Sequence, residues 1–202
     1  MRLPADQRRQ QLLDVARDVF AATGYHETSM DDIAEGAGVT KPVLYQHFPS
    51  KRALYLELLT DTGRQLLDAL SSATERVPTG RERVEAGFRA YFQYVTRNRS
   101  GFRLLFGASI RTDSEFAAVV DGVVRSAADA ISELIEIPAS DEHRRVLATA
   151  LVGMAESVGR RASDGVDEQH EVTDAAELAH WIAELAWFGL RGVRSEEGAT
   201  LQ

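Results

Sequence analysis

The sequence predicts an all-α protein of about nine helices, for three reasons. Apolar residues recur at intervals of three and four along most of the 202 residues, which is the spacing of one helix face. Strict alternation of apolar and polar residues, the pattern typical of β-strands, does not compete with it in any segment. Polar and helix-breaking residues interrupt the pattern, most clearly at Pro78-Thr79-Gly80. We therefore assign residues 1–55 to a small amino-terminal domain, 56–192 to a larger helical domain and 193–202 to a polar tail.

Composition limits the class of protein. With 44% apolar residues, the chain has enough apolar side chains to bury a proper core. The absence of cysteine excludes disulfides and thiolate metal sites. Residues 1–20 lack the apolar core of a signal peptide, and no apolar run has the length that a membrane span needs. We expect a cytoplasmic protein with no membrane contact.

The net charge of −8 is unevenly distributed along the chain. Residues 1–55 contain seven Lys/Arg and seven Asp/Glu, whereas the remainder contains 16 Lys/Arg and 24 Asp/Glu. Acidic surface repels the phosphates of DNA at low salt. If the protein binds DNA, this asymmetry favours a mode in which only the amino-terminal end touches the duplex.

The first helix is predicted from Asp6 to Thr23, and Gly24 ends it. Arg8 and Arg9 lie near its start, after a short arm. Two interpretations of this arginine pair remain open, namely solvated surface and contact with DNA phosphates. The apolar face of the helix consists of Leu12, Ala16, Val19 and Phe20.

Residues 29–48 predict two short helices joined by a tight corner. Ser29 is suited to cap the first helix, and Gly38 to end it with a positive φ. Thr40 is a second N-cap, and Pro42 fits the first turn of the next helix. This is the pattern of a helix-turn-helix, whose second helix enters the major groove of DNA.

The outward face of that second helix, 40–48, carries groups that suit DNA bases. Lys41 and Gln46 can hydrogen-bond base edges, and Val43 suits a thymine methyl group. The starts of both short helices are predicted to present free backbone N–H groups to phosphates.

Four segments of this region resemble the amino-terminal domain of TetR-family repressors. They are Gly24-Tyr25, Thr28–Ala34, Ala37–Val39 and, above all, Leu44–Lys51. The resemblance covers about the first 60 residues and implies a homodimer on a palindromic double-stranded DNA operator. One local departure is Pro42, because many relatives carry glycine or a polar residue there.

The resemblance also places Tyr45, His47 and Lys51 at positions that usually touch the DNA backbone. The predicted DNA-contacting residues are Thr28, Ser29, Thr40, Lys41, Pro42, Val43, Tyr45, Gln46, His47 and Lys51.

The fourth helix is predicted to begin at Lys51, capped by Ser50, to reach the larger domain by about Ser72 and to end near Pro78-Thr79-Gly80. A helix of this length runs out of the amino-terminal domain, so we expect it to link the two domains mechanically. Its apolar stripe consists of Tyr55, Leu59, Leu66 and Leu70.

Five further helices are predicted in the second domain. Breaks or caps at Ser100-Gly101, at Asp113 or Ser114, and at Pro138 separate them. The acidic segment Asp164–Thr173 is predicted to be a mobile link. The helices are expected at about 81–98, Phe102–Ser109, 113 or 114 to about Glu136, 141–163, and Asp174 to about Arg191.

The apolar faces of helices five to eight have two interpretations. For any single residue the ordinary hydrophobic core is favoured, and the resemblance implies that some of these residues line a cavity for a small-molecule effector. Ligand pockets are mostly apolar with a few polar groups, which suggests an apolar or aromatic effector. The predicted effector-binding residues are Phe88, Tyr91, Phe92, Asn98, Phe106, Phe116, Val120, Met154, Ser157 and Arg161.

Small residues are mixed into the apolar faces of helices eight and nine, beside two tryptophans. An intramolecular core is one interpretation of this pattern. Helix-turn-helix proteins commonly act as two-fold dimers, so we predict a homodimer through these helices. The predicted interface residues are Leu151, Leu178, Trp181, Ile182, Leu185 and Phe188.

Enzyme and metal motifs are weak in this sequence. Glu177-x-x-His180 matches half of a di-metal site of helical bundles, but the second Glu-x-x-His is missing. No nucleophile elbow, P-loop or Rossmann fingerprint occurs. We predict a protein without enzymatic activity, cofactor or metal, and a helical-bundle metalloenzyme remains only a formal alternative.

These patterns predict a ligand-responsive, sequence-specific transcriptional regulator. Repressors predominate in the family that the amino-terminal segment resembles, so we expect a repressor that a small apolar or aromatic effector releases from its operator. The alternative is an architectural DNA-binding protein without an effector.

Overall fold

Within the residues that the structure describes, every regular element is a helix. The computed structural model describes residues 4–107, 113–163 and 174–193. The predicted all-α fold is confirmed. The helices are α1 (Ala5–Thr23), α2 (Met30–Gly36), α3 (Lys41–His47), α4 (Lys51–Thr74), α5 (Gly80–Arg97), α6 (Arg99–Phe106), α7 (Ser114–Leu134), α8 (Asp141–Ser163) and α9 (Ala175–Gly192).

The start of α6 differs from the prediction. The break falls at Asn98, whose φ of −121° and ψ of 48° lie outside the helical region, and not at Ser100-Gly101. Gly101 is buried in the first turn of α6, so tertiary packing outweighs the low helix propensity of glycine. The predicted end of this helix at Ser109 is also wrong, because α6 ends at Phe106 and Gly107 has an extended backbone, with a φ of −75° and a ψ of 172°. The link at 164–173 and most of the tail, 194–202, lie outside the described residues.

Contacts within the chain divide it into two units. Unit 1 comprises residues 1–64 and 98–120, and unit 2 comprises residues 65–97 and 121–202. α6 and the first turns of α7 therefore group with the predicted amino-terminal domain. Both α4 and α7 contribute residues to each unit. The predicted domain boundaries after residues 55 and 192 stay a prediction.

Unit 1 is built on α1, which packs against α2 and α6. An aromatic cluster of Phe20, Tyr25, Tyr55 and Phe116 joins α1 and α4 to the start of α7. Four pairs of ring centroids in this cluster are 4.7 to 4.9 Å apart, and those of Phe20 and Tyr25 are 6.0 Å apart. Because Phe116 is fully enclosed, the start of α7 is fixed to the same core as the helix-turn-helix. Other fully buried side chains of this core are Leu12, Ile33, Leu44, Phe48, Leu54, Leu58 and Leu59.

Unit 2 is built on α5, which packs against α8 and α9. α5 contributes the large side chains of this core, among them Tyr91, Phe92 and Val95. The inward positions of α8 and α9 are mostly small, which lets the helix axes approach the bulky face of α5. They are Ala148, Leu151, Ala155 and Gly159 on α8, and Ala179, Ala183, Ala186 and Leu190 on α9.

Candidate functional site

The corner that leads into α3 has the predicted geometry. The Ser29 hydroxyl accepts a hydrogen bond from the Asp32 backbone N–H at 3.1 Å, and the Asp32 carboxylate accepts one from the Ser29 N–H at 2.7 Å. These bonds form a capping box. The Ser29 hydroxyl also donates to the Asp32 carboxylate at 2.7 Å. The bonds that this carboxylate accepts, first from the Ser29 backbone N–H and then from the hydroxyl, lower the pKa of Asp32 because they favour its ionised form. Gly38 has a φ of 62° at the turn, a conformation that glycine adopts without steric cost.

α3 turns an apolar side inward and a polar side outward. Leu44 and Phe48 are buried in unit 1, as predicted. The outward side chains are accessible, which is the first requirement for reading a DNA groove. Lys41, Pro42, Tyr45 and Gln46 are exposed, and Val43 and His47 are half-buried.

The prediction of a free backbone N–H group at the start of α2, on Thr28 or Ser29, is wrong for both residues. The Thr28 N–H donates to the carbonyl oxygen of Gly24 at 3.2 Å, and the Ser29 N–H is taken by Asp32. Thr28 is also buried, and its hydroxyl donates to the same Gly24 carbonyl at 2.7 Å. Both groups serve the connection between α1 and α2. Thr40 occupies the N-cap position of α3, without a capping bond from its side chain.

Lys41 forms an ion pair across the corner. Its Nζ donates to the Asp31 carboxylate of α2 at 2.9 Å, and both side chains are more than half exposed. This hydrogen bond, together with the negative charge of Asp31, raises the pKa of Lys41. Lys41 therefore stays cationic, and its partner is accessible enough to be exchanged for a base or phosphate.

Lys51 is half-buried, and its ammonium group is bonded to backbone carbonyls of the connection between α1 and α2. Its Nζ donates to the carbonyl oxygens of Tyr25, His26 and Thr28 at 2.8, 3.2 and 2.7 Å. The ammonium also lies 4.7 Å from the centroid of the Tyr25 ring. These bonds engage its three donor protons. The role in phosphate contact that the resemblance implies for Lys51 stays a prediction.

Two arginines of unit 1 have partners that the sequence patterns did not indicate. Arg52, exposed at the start of α4, bonds the carboxylates of Asp113 and Glu115 at the start of α7. The guanidinium holds the pKa of Asp113 at about 2, well below its ordinary value. Arg9 of α1 reaches the end of α3. A sequence signal for these pairs is absent, since the partners lie 38 to 63 residues away.

The predicted effector-binding residues are divided between the two units. In unit 2, Phe88, Tyr91 and Phe92 are buried on α5, and burial raises the pKa of the Tyr91 phenol. Ser157 and Arg161, however, are exposed on the outward side of α8. That position does not suit the lining of an interior cavity. Of the remaining members, Met154 of unit 2 and Asn98 of unit 1 are half-buried, and Phe106, Phe116 and Val120 of unit 1 are buried.

The predicted dimer residues of α9 form an exposed apolar face. The side chains of Trp181, Leu185 and Phe188 are 52%, 61% and 63% exposed, and they recur at helical spacing. Leu178 and Ile182 are half-buried beside them. Apolar surface of this kind, on one helix face, is typical of an interaction site.

The assignment of Leu151 to this face is wrong for the single chain. Leu151 is buried in the core of unit 2, because α8 turns it toward the same side as Ala148 and Ala155. The outward side of α8 instead carries an exposed valine, Val146, followed by small residues. These small outward residues are Ala150, Gly153 and Ser157. The sequence pattern failed to separate the two sides because small residues occupy both.

Neither a metal site nor a membrane span is found in the described ranges. No three His, Cys, Asp or Glu side chains in them converge on a common point that could hold a metal ion. His180 lies 3.7 Å from Glu184 of the next turn, as a surface pair. None of the helices described is both long enough and apolar enough to cross a bilayer.

Two family models match separate parts of the chain. Residues 12–58 match the model described as bacterial regulatory proteins, tetR family. Residues 80–189, more than half of the chain, match the tetracyclin repressor-like C-terminal domain.

Individual relatives agree with the family models. The HTH-type transcriptional activator FasR of Mycolicibacterium smegmatis is 40% identical over 156 residues, which are 76% of this chain and 71% of FasR. The HTH-type transcriptional regulator RutR of Escherichia coli is 44% identical over 61 residues, 30% of this chain and 27% of RutR. A crystal structure of a TetR-like transcriptional regulator from Rhodococcus sp. RHA1 has a TM-score of 0.79 at 30% identity, and covers 95% of this chain and 100% of that one.

Proposed function

The chain belongs to the TetR family of bacterial transcriptional regulators, and we propose that it is a ligand-responsive homodimer on a palindromic operator. The observation that carries the proposal is the accessible face of α3 on a helix-turn-helix closed by a capping box. The relatives that it matches are regulators of transcription rather than enzymes. Because its target is chromosomal DNA, we assign the protein to the cytoplasm.

In this proposal α3 reads bases in the major groove. Lys41 and Gln46 supply hydrogen bonds to base edges, and Val43 supplies contact to a thymine methyl group. Tyr45 and His47, next to Gln46 in the sequence, contact the sugar-phosphate backbone of the DNA. When DNA binds, the Lys41 ammonium leaves the Asp31 carboxylate and donates to the DNA instead. A bidentate base contact contributes about 1–3 kcal/mol of discrimination, so Gln46→Ala should relax the base preference at one position of each half-site.

Titration of the purified protein tests sequence-specific binding. DNase footprinting on DNA around its own gene identifies the operator, and fluorescence anisotropy compares that duplex with a random one of equal length and salt. A specific regulator should prefer the operator by a factor of about 10³ or more. Equal affinity for both duplexes would favour the architectural alternative, which has no operator.

The dimer is proposed to form through the outward faces of α8 and α9. Three observations support it: the exposed apolar side chains of α9, the small outward residues of α8, and the common two-fold use of helix-turn-helix proteins. Each protomer then contributes one α3 to half-sites about 34 Å, or a small multiple of it, apart. Ser157→Trp, on the outward side of α8, should weaken the dimer rather than fill a ligand cavity.

The effector is proposed to bind among the apolar side chains of α5 in unit 2. The large buried aromatic residues of that helix, and the buried Tyr91 phenol beside Glu156 and Arg160, support an apolar or aromatic ligand with a polar group. Since α4 and α7 supply residues to both units, a ligand that prefers one arrangement of these helices changes the DNA-binding end. A ligand with equal affinity for both arrangements would change nothing.

The direction of regulation has two candidates. A repressor released by its effector is the role that predominates in the family. Activation is favoured by one specific observation, since the relative that is 40% identical is named as a transcriptional activator. In vitro transcription from the footprinted promoter, with and without the protein, separates the two by the sign of the change.

Effector control is tested by a ligand screen followed by operator titration. Compounds that raise the melting temperature are added to the anisotropy assay. An allosteric coupling of about 1–3 kcal/mol would change operator affinity by roughly 5–150-fold. Tyr91→Phe removes one hydroxyl and should alter ligand affinity only, whereas Tyr94→Phe, one turn along α5, is the matched control. If every tight ligand leaves operator affinity unchanged, effector control is wrong and DNA binding remains.

A further inference from the structure

Arg9 connects three helices at the carboxyl end of α3. Its Nη1 donates to the carbonyl oxygen of His47, the last residue of α3, at 3.1 Å. Its guanidinium carbon lies 4.4 Å from the centroid of the Phe48 ring. Its Nη2 forms an ion pair with the Glu57 carboxylate of α4. One side chain of α1 is thus bonded to both helices that follow the corner.

The end of α3 has a physical need for such a donor. α3 contains only seven residues, and the carbonyl groups of its last turn have no N–H partner inside the helix. A cation at this end also interacts favourably with the helix dipole. Arginine suits the place because its planar fork can serve a carbonyl and a carboxylate together while its flat face stacks on an aromatic ring.

We propose that Arg9 is a positioning residue that fixes the orientation of α3, and that Glu57 holds Arg9 in place. The proposal rests on the DNA-binding function proposed above. It assigns Arg9 neither of the two roles that the sequence left open, solvated surface and phosphate contact. Two of its N–H groups are directed at protein oxygens, and its face covers Phe48.

Salt dependence separates positioning from phosphate contact. Each phosphate contact contributes about 0.9 to the slope of log affinity against log salt. A positioning residue changes the affinity and leaves this slope unchanged, because the number of neutralised phosphates stays the same.

Glu57 provides a second separation, by the sign of its effect. Removal of a carboxylate lowers the repulsion between protein and DNA, so by charge alone Glu57→Gln would strengthen binding. Loss of the partner that holds Arg9 would weaken binding. The charge effect and the positioning role therefore predict opposite changes in the operator affinity of Glu57→Gln.

The experiment uses the full chain and four variants: Arg9→Gln, Arg9→Lys, Glu57→Gln and Arg8→Gln. Arg8 is the matched control, because its Nη1 bonds Gln11 on its own helix at 2.8 Å. Operator affinity is measured by anisotropy at several salt concentrations, far below each melting temperature. We expect Arg9→Gln and Glu57→Gln each to weaken binding about tenfold, the equivalent of one hydrogen bond to a charged group, at unchanged salt slope. Arg9→Lys should stay weakened, since lysine lacks the fork, and Arg8→Gln should be affected less than Arg9→Gln.

Several results would overturn the proposal. Tighter binding by Glu57→Gln, or full rescue by Arg9→Lys with a slope reduced by about 0.9 in Arg9→Gln, would make Arg9 a phosphate contact. Equal losses in Arg8→Gln and Arg9→Gln would indicate a general charge effect. If Arg9→Gln and Glu57→Gln lower the melting temperature but leave operator affinity unchanged, Arg9 and Glu57 only stabilise the fold. Wild-type protein without sequence preference would refute the DNA-reading function itself, before any variant is compared.

Discussion

At the scale of single residues, Lys41 and Lys51 carry the same charge in different surroundings. Lys41 has one exposed carboxylate partner, Asp31, whereas Lys51 serves three backbone carbonyls of the connection between α1 and α2. An exposed ion pair contributes little to stability. Carbonyl groups that lose a charged donor, in contrast, stay shielded from water without a hydrogen-bond partner, and this lowers the stability of the folded state. We therefore expect Lys51 to contribute more to the stability of the fold than Lys41.

Lys51→Ala should lower the free energy of unfolding of the DNA-free protein by about 1.5–3 kcal/mol, the range of hydrogen bonds to charged groups. Lys41→Ala, the matched control, should change it by no more than about 0.5 kcal/mol. Urea unfolding followed by circular dichroism measures both. Equal losses in the two variants would contradict the structural role of Lys51.

The residues that could be predicted from the sequence have partners close by in the chain. The capping bonds of Ser29 and the positive φ of Gly38 depend on neighbours within a few residues, and local patterns contain that information. The three carbonyls that bind Lys51 lie 23 to 26 residues away. Their approach is set by tertiary packing, so the sequence reveals the charge of Lys51 and not its partners.

At the scale of elements, helix ends and helix interiors place opposite demands on glycine. Gly38, at a φ of 62°, lies where a Cβ is disfavoured, whereas Gly122 lies inside α7 with open space around its Cβ position. Gly38→Ala should destabilise the protein by about 1–2 kcal/mol. Gly122→Ala should stabilise it by up to about 1 kcal/mol, through helix propensity. Paired urea titrations test this, and the same sign in both variants would be contrary to the described backbone.

Helix boundaries were more predictable than helix faces. Caps and breaks located most ends, yet the periodic pattern left Leu151 and Ser157 on the wrong sides of α8, because small residues occur around the whole helix. The start of α6 shows the complementary failure, since Gly101 is retained in a helix by burial. Burial is a property of the folded chain, and local patterns contain only part of it.

Ion pairs connect the start of α7 to the start of α4. Arg52 bonds Asp113 and Glu115, and it lies 4.9 Å from the centroid of the Phe116 ring. The hydrogen bond from Arg52 holds the pKa of Asp113 at about 2, below the ordinary 3.8. A carboxyl whose pKa is lowered by folding stabilises the folded state above its ordinary pKa, and this contribution disappears as pH falls through the lowered value.

Asp113→Asn should therefore destabilise the protein at neutral pH, and the difference from wild type should shrink as pH falls from about 4 to about 2. Asparagine keeps the capacity to cap α7, so the substitution isolates the charge. Urea unfolding of both proteins between pH 7 and pH 2 measures the difference. A gap that is as large at pH 2 as at pH 7 would exclude the ion pair as its cause.

At the scale of the whole molecule, the exposed apolar face of α9 has a consequence for assembly. Trp181, Leu185 and Phe188 are more than half exposed in one protomer. Burial of such side chains is worth about 1.5–3 kcal/mol each, so a second copy gains by covering them. The role of this face in a dimer stays a prediction, and only the folded helix separates its residues from the inward alanines Ala183 and Ala186.

Leu185→Glu is the sharpest test of that assembly. An uncompensated charge in an interface costs about 3 kcal/mol or more, which raises the dimer dissociation constant by about a hundredfold or more. The fold of each protomer should persist, since Leu185 is 61% exposed there, and circular dichroism and melting curves check this. Ala22→Glu, an exposed position on α1, adds the same charge elsewhere and should leave the dimer intact. Sedimentation velocity over a dilution series measures both variants.

Because a two-fold operator is read by two α3 helices, the monomeric variant should also lose operator affinity while keeping its non-specific binding. A fully dimeric Leu185→Glu would move the interface to another surface, and a monomeric wild type would refute the two-fold mode of binding.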